Sequence, residues 1–358
     1  MSKAIDIGRA FAFILLVALA GCGREARDPH VYELTYASLY SQLHPYSRAD
    51  RRWIEHVAAL SDGRLRIKPF WGGAILSSEM NVIELRHGIV DIGMITPIYM
   101  RGGVPAIRAQ GGFYSGVTTI EDQVTALQCL MQIDPTIERE LAGLRVLAVQ
   151  GGNFPGVLTA NKPVRTLEDF AGLRLRVPNE NFALFRSLGA DPVSLPMSEV
   201  YSALAKGVID GVVTPADALR GLHLAEVGKY FTTVRVSRGA YPARAISEQA
   251  WQRLPEELRD VLERSLDVWQ RALTEEIARA EEGGLRFAIE NRLEVIEFPP
   301  DQQALFDRQF AQGARENAAS LQRLGVDGLA ILEKAQAIVR KINEGTLASC
   351  GACGELCQ

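Results

Sequence analysis

The chain reads as an α/β protein of two lobes, and three observations lead there. One short pattern of residues occurs twice. Strand and helix signals alternate in both regions that contain it. A long helical pattern follows the second. The first copy, "SSEMNVIELRHGIVDIGMITP", ends at Pro97; the second, "SEVYSALAKGVIDGVVTP", begins at Ser198. Each runs Ser-Glu, an apolar-periodic stretch, a basic residue, Gly, an apolar segment containing Asp, and Thr-Pro. This is the form of one helix–strand step in an open α/β sheet. Capped helices before buried strands resemble one another, so a single match carries little; recurrence of cap, stop and exit in order assigns one copy to each lobe.

In chain order, "VYELTYAS" from Val31 is a strand candidate, and a helical pattern runs from about Tyr46 to Leu60, stopped by "SDG". "RLRIKPFW" alternates with period two. Ser78 is a fair N-cap for a helix to His87 closed by Gly88, and "IVDIGMI" reads as a buried strand. In the second region "RVLAVQG" is a strand, and "TLEDFAG" a short helix with Thr166 and Asp169 as a capping box. "LRLRV" alternates strictly, Asn179 or Asn181 caps "FALFRSL", "DPVSLP" is a strand, Ser198 caps "EVYSALAK", and "VIDGVV" closes the series. Strands alternating with helices predict a mainly parallel sheet in each lobe. From Pro255 a long helical pattern with charges at i,i+4 spacing either crosses the back of both lobes or lies on one. A strand "LEVIEF", a helix capped by Asp301 and a last helix follow.

The first 22 residues stand apart. Lys3 and Arg9 precede "AFAFILLVALAG", the length of a signal-peptide core and too short to span a bilayer. It ends in Leu19-Ala20-Gly21-Cys22, which reads as a lipoprotein signal with the Cys22 thiol as lipid acceptor; a plain secretory signal with a chance cysteine is the alternative. Residues 23–30 form a polar tether, so the mature protein is expected in the periplasm, held to the membrane by a lipid anchor. Of the remaining cysteines, Cys129, Cys350, Cys353 and Cys357, the last three lie in a Cys-rich tail over 346–358. Three thiolates fall one short of a tetrahedral zinc shell, and the pairing stays open.

Composition narrows the function. The 358 residues are 47% apolar and 23% charged with net charge -4, which excludes the positive footprint of a nucleic-acid binder. No H-E-x-x-H, G-x-S-x-G, Walker A or G-x-G-x-x-G pattern occurs, so the expectation is no enzyme, no metal and no cofactor. The strand "GLRLRVP" points to binding. Leu173, Leu175 and Val177 share one face, Arg174 and Arg176 the other. Arg176 lies near the carboxyl end, where open α/β sheets bind ligands, and a guanidinium there can clamp a carboxylate with two parallel hydrogen bonds. Asn179 adds an amide at the next helix start. The plain alternative for Arg176 is a solvated strand residue.

At this point the sequence resembles the DctP-type substrate-binding proteins of tripartite ATP-independent periplasmic (TRAP) transporters. The resemblance rests on "NKPVRTLEDFAGLRLRVPNENFALFRSLGADPVSLPMSEVYSALAKGVIDGVVTP" and "DGRLRIKPFWGGAILSSEMNVIELRHGIVDIGMITP", and covers roughly Tyr32 to Glu344. It implies a class II-like two-lobed Venus-flytrap protein with a bridging helix, capture of an organic acid by the arginine matching Arg176, and delivery to TRAP membrane permease subunits. Three departures suggest a less polar pocket and a smaller or more apolar carboxylate than a sugar acid. Gly156 replaces a second arginine, Asp210-Gly211-Val212-Val213-Thr214-Pro215 lacks an amide and an acid, and Met197 replaces an aromatic. Phe154, Met197, Thr214 and Trp71, with Phe113 and Tyr114, are candidate lining residues. Lobe I is expected over 31–154 plus about 241–281, lobe II over 155–240 plus about 282–345. A ligand-reporting partner of a membrane sensor kinase and a periplasmic enzyme on the same scaffold are the rival functions.

Overall fold

The computed structural model describes residues 31–100 and 102–347. The signal segment, Cys22, residues 23–30, and Cys350, Cys353 and Cys357 lie outside the described residues. The chain first builds β1 (Tyr32–Ala37), α1 (Pro45–Leu60), β2 (Leu65–Phe70), α2 (Asn81–Arg86), β3 (Ile92–Met94), α3 (Pro105–Gln110), α4 (Ile120–Ile133), α5 (Pro135–Glu140) and β4 (Leu144–Gln150). It crosses at 151–155 into β5 (Gly156–Thr159), β6 (Arg174–Arg176), α6 (Phe182–Ser187), β7 (Asp191–Val193), α7 (Met197–Ala205), β8 (Gly211–Thr214), α8 (Asp217–Gly221) and β9 (Tyr230–Thr232). It returns at 233–240 to β10 (Tyr241–Ser247), α9 (Glu248–Arg253) and α10 (Glu256–Glu290), then adds β11 (Glu294–Ile296), α11 (Pro300–Ser320) and α12 (Gly328–Asn343).

Two sheets result, in orders β2-β1-β3-β10-β4 and β11-β9-β5-β8-β6-β7. The sequence predicts mainly parallel sheets; each is mixed. β1 pairs in parallel with β2 and β3, but β10 runs antiparallel to β3 and β4. β6 pairs in parallel with β7 and β8, but β5 runs antiparallel to β8 and β9. The crossings explain this. β3 and β8 run out toward the gap between the sheets, whereas β5 and β10 begin at that gap and must run the other way.

The capping box at Thr166 and Asp169 forms, around a short 3-10 turn. Other caps differ from the reading. α7 starts at Met197 with Pro196 as N-cap, so Ser198 lies inside it. Asn81, not Ser78, opens α2; its buried amide donates to Ser77 O, Ser78 O and Thr96 Oγ1.

α10 holds the two halves in one unit. Toward its start it packs on α1, where Trp53 and Trp269 stack at 3.7 Å and Trp53 Nε1 donates to Ser265 Oγ at 2.8 Å. Such ring pairs add about 0.5–1.5 kcal/mol beyond area burial. Toward its end Ala288 joins the core under β8. Gly284 permits that approach, since a Cβ there would sit 1.9 Å from Ala216 O. The last helix departs from the expected division. Ile331, Leu332, Ala335, Ile338 and Val339 of α12 pack into the first sheet's core with Leu127 and Leu130. α11 contributes Phe306 and Phe310 to the second core and Ala314 and Ala318 to the first. Chain order therefore misleads after residue 300: apolar faces pack against whichever core lacks a cover. No helix among the described residues is long and apolar enough to cross a membrane.

Candidate functional site

A cavity of about 130 Å³ lies between the two sheets. Its opposite walls are the exits of the duplicated pattern: Thr96-Pro97 beyond β3 and Thr214-Pro215 at the end of β8. The repetition thus has a spatial meaning, because each copy delivers its Thr-Pro step to the crevice outside the strand ends. Three residues beyond each threonine stands a polar side chain on the wall, Tyr99 on one side and Asp217 on the other.

Arg176 lies on this wall, 4% exposed, placed by β6 pairing with β8 at Val212 and with β7 at Val193. Its Nε donates to Leu195 O at 2.9 Å and its terminal nitrogen to Tyr99 Oη at 3.1 Å, with the Tyr99 ring centroid 5.8 Å away. Both partners are neutral, so the positive charge has no counter-charge in its hydrogen bonds. Tyr99 comes from the opposite lobe. So does Ile98, whose carbonyl accepts from Asn179 Nδ2 at 3.3 Å, and Tyr241, whose hydroxyl donates to Glu180 Oε1 at 2.7 Å. Three polar bonds therefore span the gap, and the lobes are drawn together.

One wall is aromatic. Tyr40 stacks on His44 at 4.0 Å and meets Tyr46 edge-on at 5.6 Å. Burial, then the charges of Arg244 and Arg48, pushes the His44 imidazole down to about 3, so it is neutral at physiological pH. Its Nδ1 accepts from Tyr46 N at 3.3 Å, which leaves the proton on Nε2. Burial pushes the Tyr40, Tyr46 and Tyr241 hydroxyls above their usual range, so they stay protonated donors. At the crossing end, Asn153 joins two charged groups. Its backbone oxygen accepts from Arg238 at 3.3 Å, and its amide donates to Asp217 Oδ2 at 3.3 Å and to Ile277 O at 2.8 Å. Burial raises the Asp217 carboxyl to about 6 against the pull of Arg238. Glu281 of α10 accepts from Asp217 N at 3.0 Å and is raised to about 7 by burial and then by Asp217's charge. Among the described residues no three His, Cys, Asp or Glu side chains gather as a metal site.

Of the residues singled out from sequence, Arg176, Met197 and Thr214 line the cavity together. Asn179 sits just outside, its amide spent on Ile98. Phe154 packs against the first core, and Trp71 lies edge-on to Tyr36 at 5.7 Å in the β1–α1 core. Phe113 and Tyr114 are fully buried in the first core. These aromatics are core because the apolar faces of α3 and β1 need cover; their sequence carries no mark that separates core from pocket. Sequence reasoning missed Tyr99, Tyr46, Tyr241, Arg238 and Asp217. Tyr99 and Asp217 had a signal, their matching offset from the repeated Thr-Pro; the others come from distant segments with none.

Comparison with known proteins identifies the family and the fold. The family model for bacterial extracellular solute-binding protein, family 7, DctP, matches residues 36–320. A solute-binding protein of Albidiferax ferrireducens is 26% identical over 223 residues, 60% of this chain and 64% of that protein, so the chain spans just under two thirds of this relative's length. A TRAP solute-binding protein of Rhodoferax ferrireducens, crystallised with copurified benzoate, superposes with TM-score 0.79 at 22% identity over 88% of this chain and 99% of the other. Another from Bordetella bronchiseptica, with bound (R)- and (S)-mandelate, gives TM-score 0.73 at 22% identity over 87% and 99%. Likeness at this identity concerns the fold.

Proposed function

Because the chain belongs to family 7 of the bacterial extracellular solute-binding proteins, we propose that it captures a small organic acid with an apolar body in the periplasm and delivers it to a TRAP-type permease. The observation that carries this reading is Arg176, buried on the cavity wall and hydrogen-bonded only to neutral groups. A buried charge without a counter-charge is costly, and a ligand carboxylate supplies one. The rest of the cavity suits the body of such an acid. Tyr40, Tyr46, Met94, Ile95, Met197 and Val213 offer flat and apolar surface. Solved relatives that hold benzoate or mandelate are in keeping with this class. The reading includes no catalysis, and it includes the lipid anchor at Cys22 that the sequence suggests.

Binding closes the lobes only through contacts absent from the open form, and Tyr99 with Arg176 is one such contact. A melting-shift screen of small carboxylic acids tests the reading. A ligand at a hundredfold excess over Kd raises stability by about 2.7 kcal/mol. Arg176→Lys should shrink the shift while the free protein melts normally, because an ammonium cannot make the two parallel bonds. If no carboxylic acid stabilises the wild type, the reading fails.

A further inference from the structure

We propose that Arg238 and Asp217, held side by side through Asn153, form a second polar subsite in the cavity that receives a hydroxyl group of the acid and turns away a second carboxylate. This deepens the reading above and rests on it.

The two side chains come from different segments, the stretch 233–240 between the lobes and the start of α8, and both face the cavity. Asn153 fixes their separation by accepting from one and donating to the other. Arg238 spends one terminal nitrogen on that contact, while its Nε is buried with no hydrogen-bond partner. The Asp217 carboxyl takes the Asn153 amide on Oδ2 and also the Ala218 backbone N–H, and its oxygens keep further lone pairs for another donor. The Glu180 carboxyl closes the same end, one oxygen bonded to Tyr241 and the other buried without a partner. Room for the guanidinium comes from Gly152, where a Cβ would sit 2.8 Å from the Arg238 central carbon. The position read from sequence as a lost arginine has no such room: a Cβ on Gly156 would lie 2.5 Å from Thr232 O. The second guanidinium of this cavity therefore enters from the crossing segment, and with acidic company.

That company decides the ligand. Arg176 has no ionic hydrogen-bond partner, Glu180 reaching it only through space, and keeps its hydrogen-bonding charge for one carboxylate. Arg238 stands among Asp217 and Glu180, with Glu281 behind, so its charge is already opposed. Unpaired donors on a guanidinium beside unpaired acceptors on carboxyls suit a group that accepts and donates at once. A hydroxyl does both; a carboxylate only accepts and would meet like charge.

Two matched sets of acids test this by calorimetry on the full chain at pH 8: benzoate, 3-hydroxybenzoate and isophthalate, and butyrate, 4-hydroxybutyrate and succinate. In the set that fits the cavity, the hydroxy acid should bind about tenfold tighter than its parent, the worth of a bond to a charged group. The dicarboxylate should bind weakest. Asp217→Asn should erase the hydroxyl preference and raise the dicarboxylate above its wild-type affinity. Arg238→Gln should erase the preference without that rise. Equal binding of parent and hydroxy acid in the wild type, or a dicarboxylate that binds tightest, overturns the subsite while leaving the carboxylate reading in place. The wild-type ranking decides even if a variant does not fold. If neither set binds at all, the carboxylate reading falls and this inference with it.

Discussion

Among the described residues, Arg176 and Arg244 are both buried, and their surroundings are opposite. Arg244 on β10 is fully buried and bonds Asp50 through two nitrogens, at 3.0 and 3.3 Å, and Gln150 through another. Asp50 in turn accepts from Tyr36 Oη at 2.5 Å and Trp269 Nε1 at 2.9 Å. Arg176 is almost as deep and has a carbonyl and a phenol. Burial of charge is thus common to a strut and a site. What separates them is the counter-charge, complete at Arg244 and absent from the hydrogen bonds of Arg176. The first ties β10 to α1 and α10; the second is left for a ligand.

If that contrast is right, the two arginines must respond oppositely to removal. Arg244→Met strands the Asp50 carboxylate in the core and should cost about 3–5 kcal/mol of unfolding free energy. Urea titration measures it, and a loss below about 1 kcal/mol would mean that Asp50 is satisfied without its ion pair. Arg176→Gln removes a charge that has no ionic partner in its hydrogen bonds, so the free protein should keep or slightly gain stability. Its affinity for a carboxylate should fall roughly tenfold to 150-fold, corresponding to about 1.5–3 kcal/mol for one charge-assisted bond. A destabilised fold with unchanged affinity would exchange the roles of the two residues.

A smaller effect sharpens the same division. Tyr241 and Glu180 belong to opposite walls and are joined by one hydrogen bond. Tyr241→Phe should remove about 0.5–1.5 kcal/mol from the closed form alone. The expected result is a several-fold faster ligand release in stopped-flow with little change in capture. An equal change in both rates would place this bond outside closure.

How far this division was legible in the sequence depended on whether its cause was local. Period-two alternation in "LRLRV" put Arg176 on the face opposite Leu175, and the repeated helix–strand step located β3 and β8, because both patterns arise from neighbours in the chain. The stretch from 98 to 143 gave no helix or strand, yet it holds α3, α4 and α5. Arg238 lies just before β10 and Arg244 within it, and neither carries a local mark of its role. Asp50 lies almost two hundred residues before Arg244, and Asn153 well before Arg238, so only the folded crossings reveal which arginine is neutralised. Aromatic residues failed for the same reason: Trp71 and Tyr99 look alike in sequence, and only the packing of β1 and α1 places the former in the core.

The finest test separates the two ends of the cavity by acid titration of the ligand-free protein. At the crossing end, folding raises Asp217 from 3.8 to about 6 and Glu281 from 4.5 to about 7. A group whose pKa is raised on folding favours the folded state in its protonated form. Its contribution is full below about pH 4 and is lost as pH rises through 6 to 7. At the aromatic end, folding lowers His44 from 6.5 to about 3, so the unfolded chain binds that proton first and His44 withdraws stability as pH falls below 6.5. Between pH 7.5 and 5 the two ends therefore oppose each other, and the wild-type profile is a difference. Carboxylates held low, such as Glu248 against Arg145, act only below about pH 4.5 and do not enter this window. Removing one end should expose the other. His44→Asn, which retains a capping acceptor for Tyr46 N, should make acidification from pH 7.5 to 5 more stabilising than in the wild type. Glu281→Gln should make the same change less stabilising, because one of the buried carboxyls that favour the protonated form is gone. Urea unfolding at the two pH values gives both slopes. Parallel profiles for the wild type and both variants would show that neither end titrates in this range.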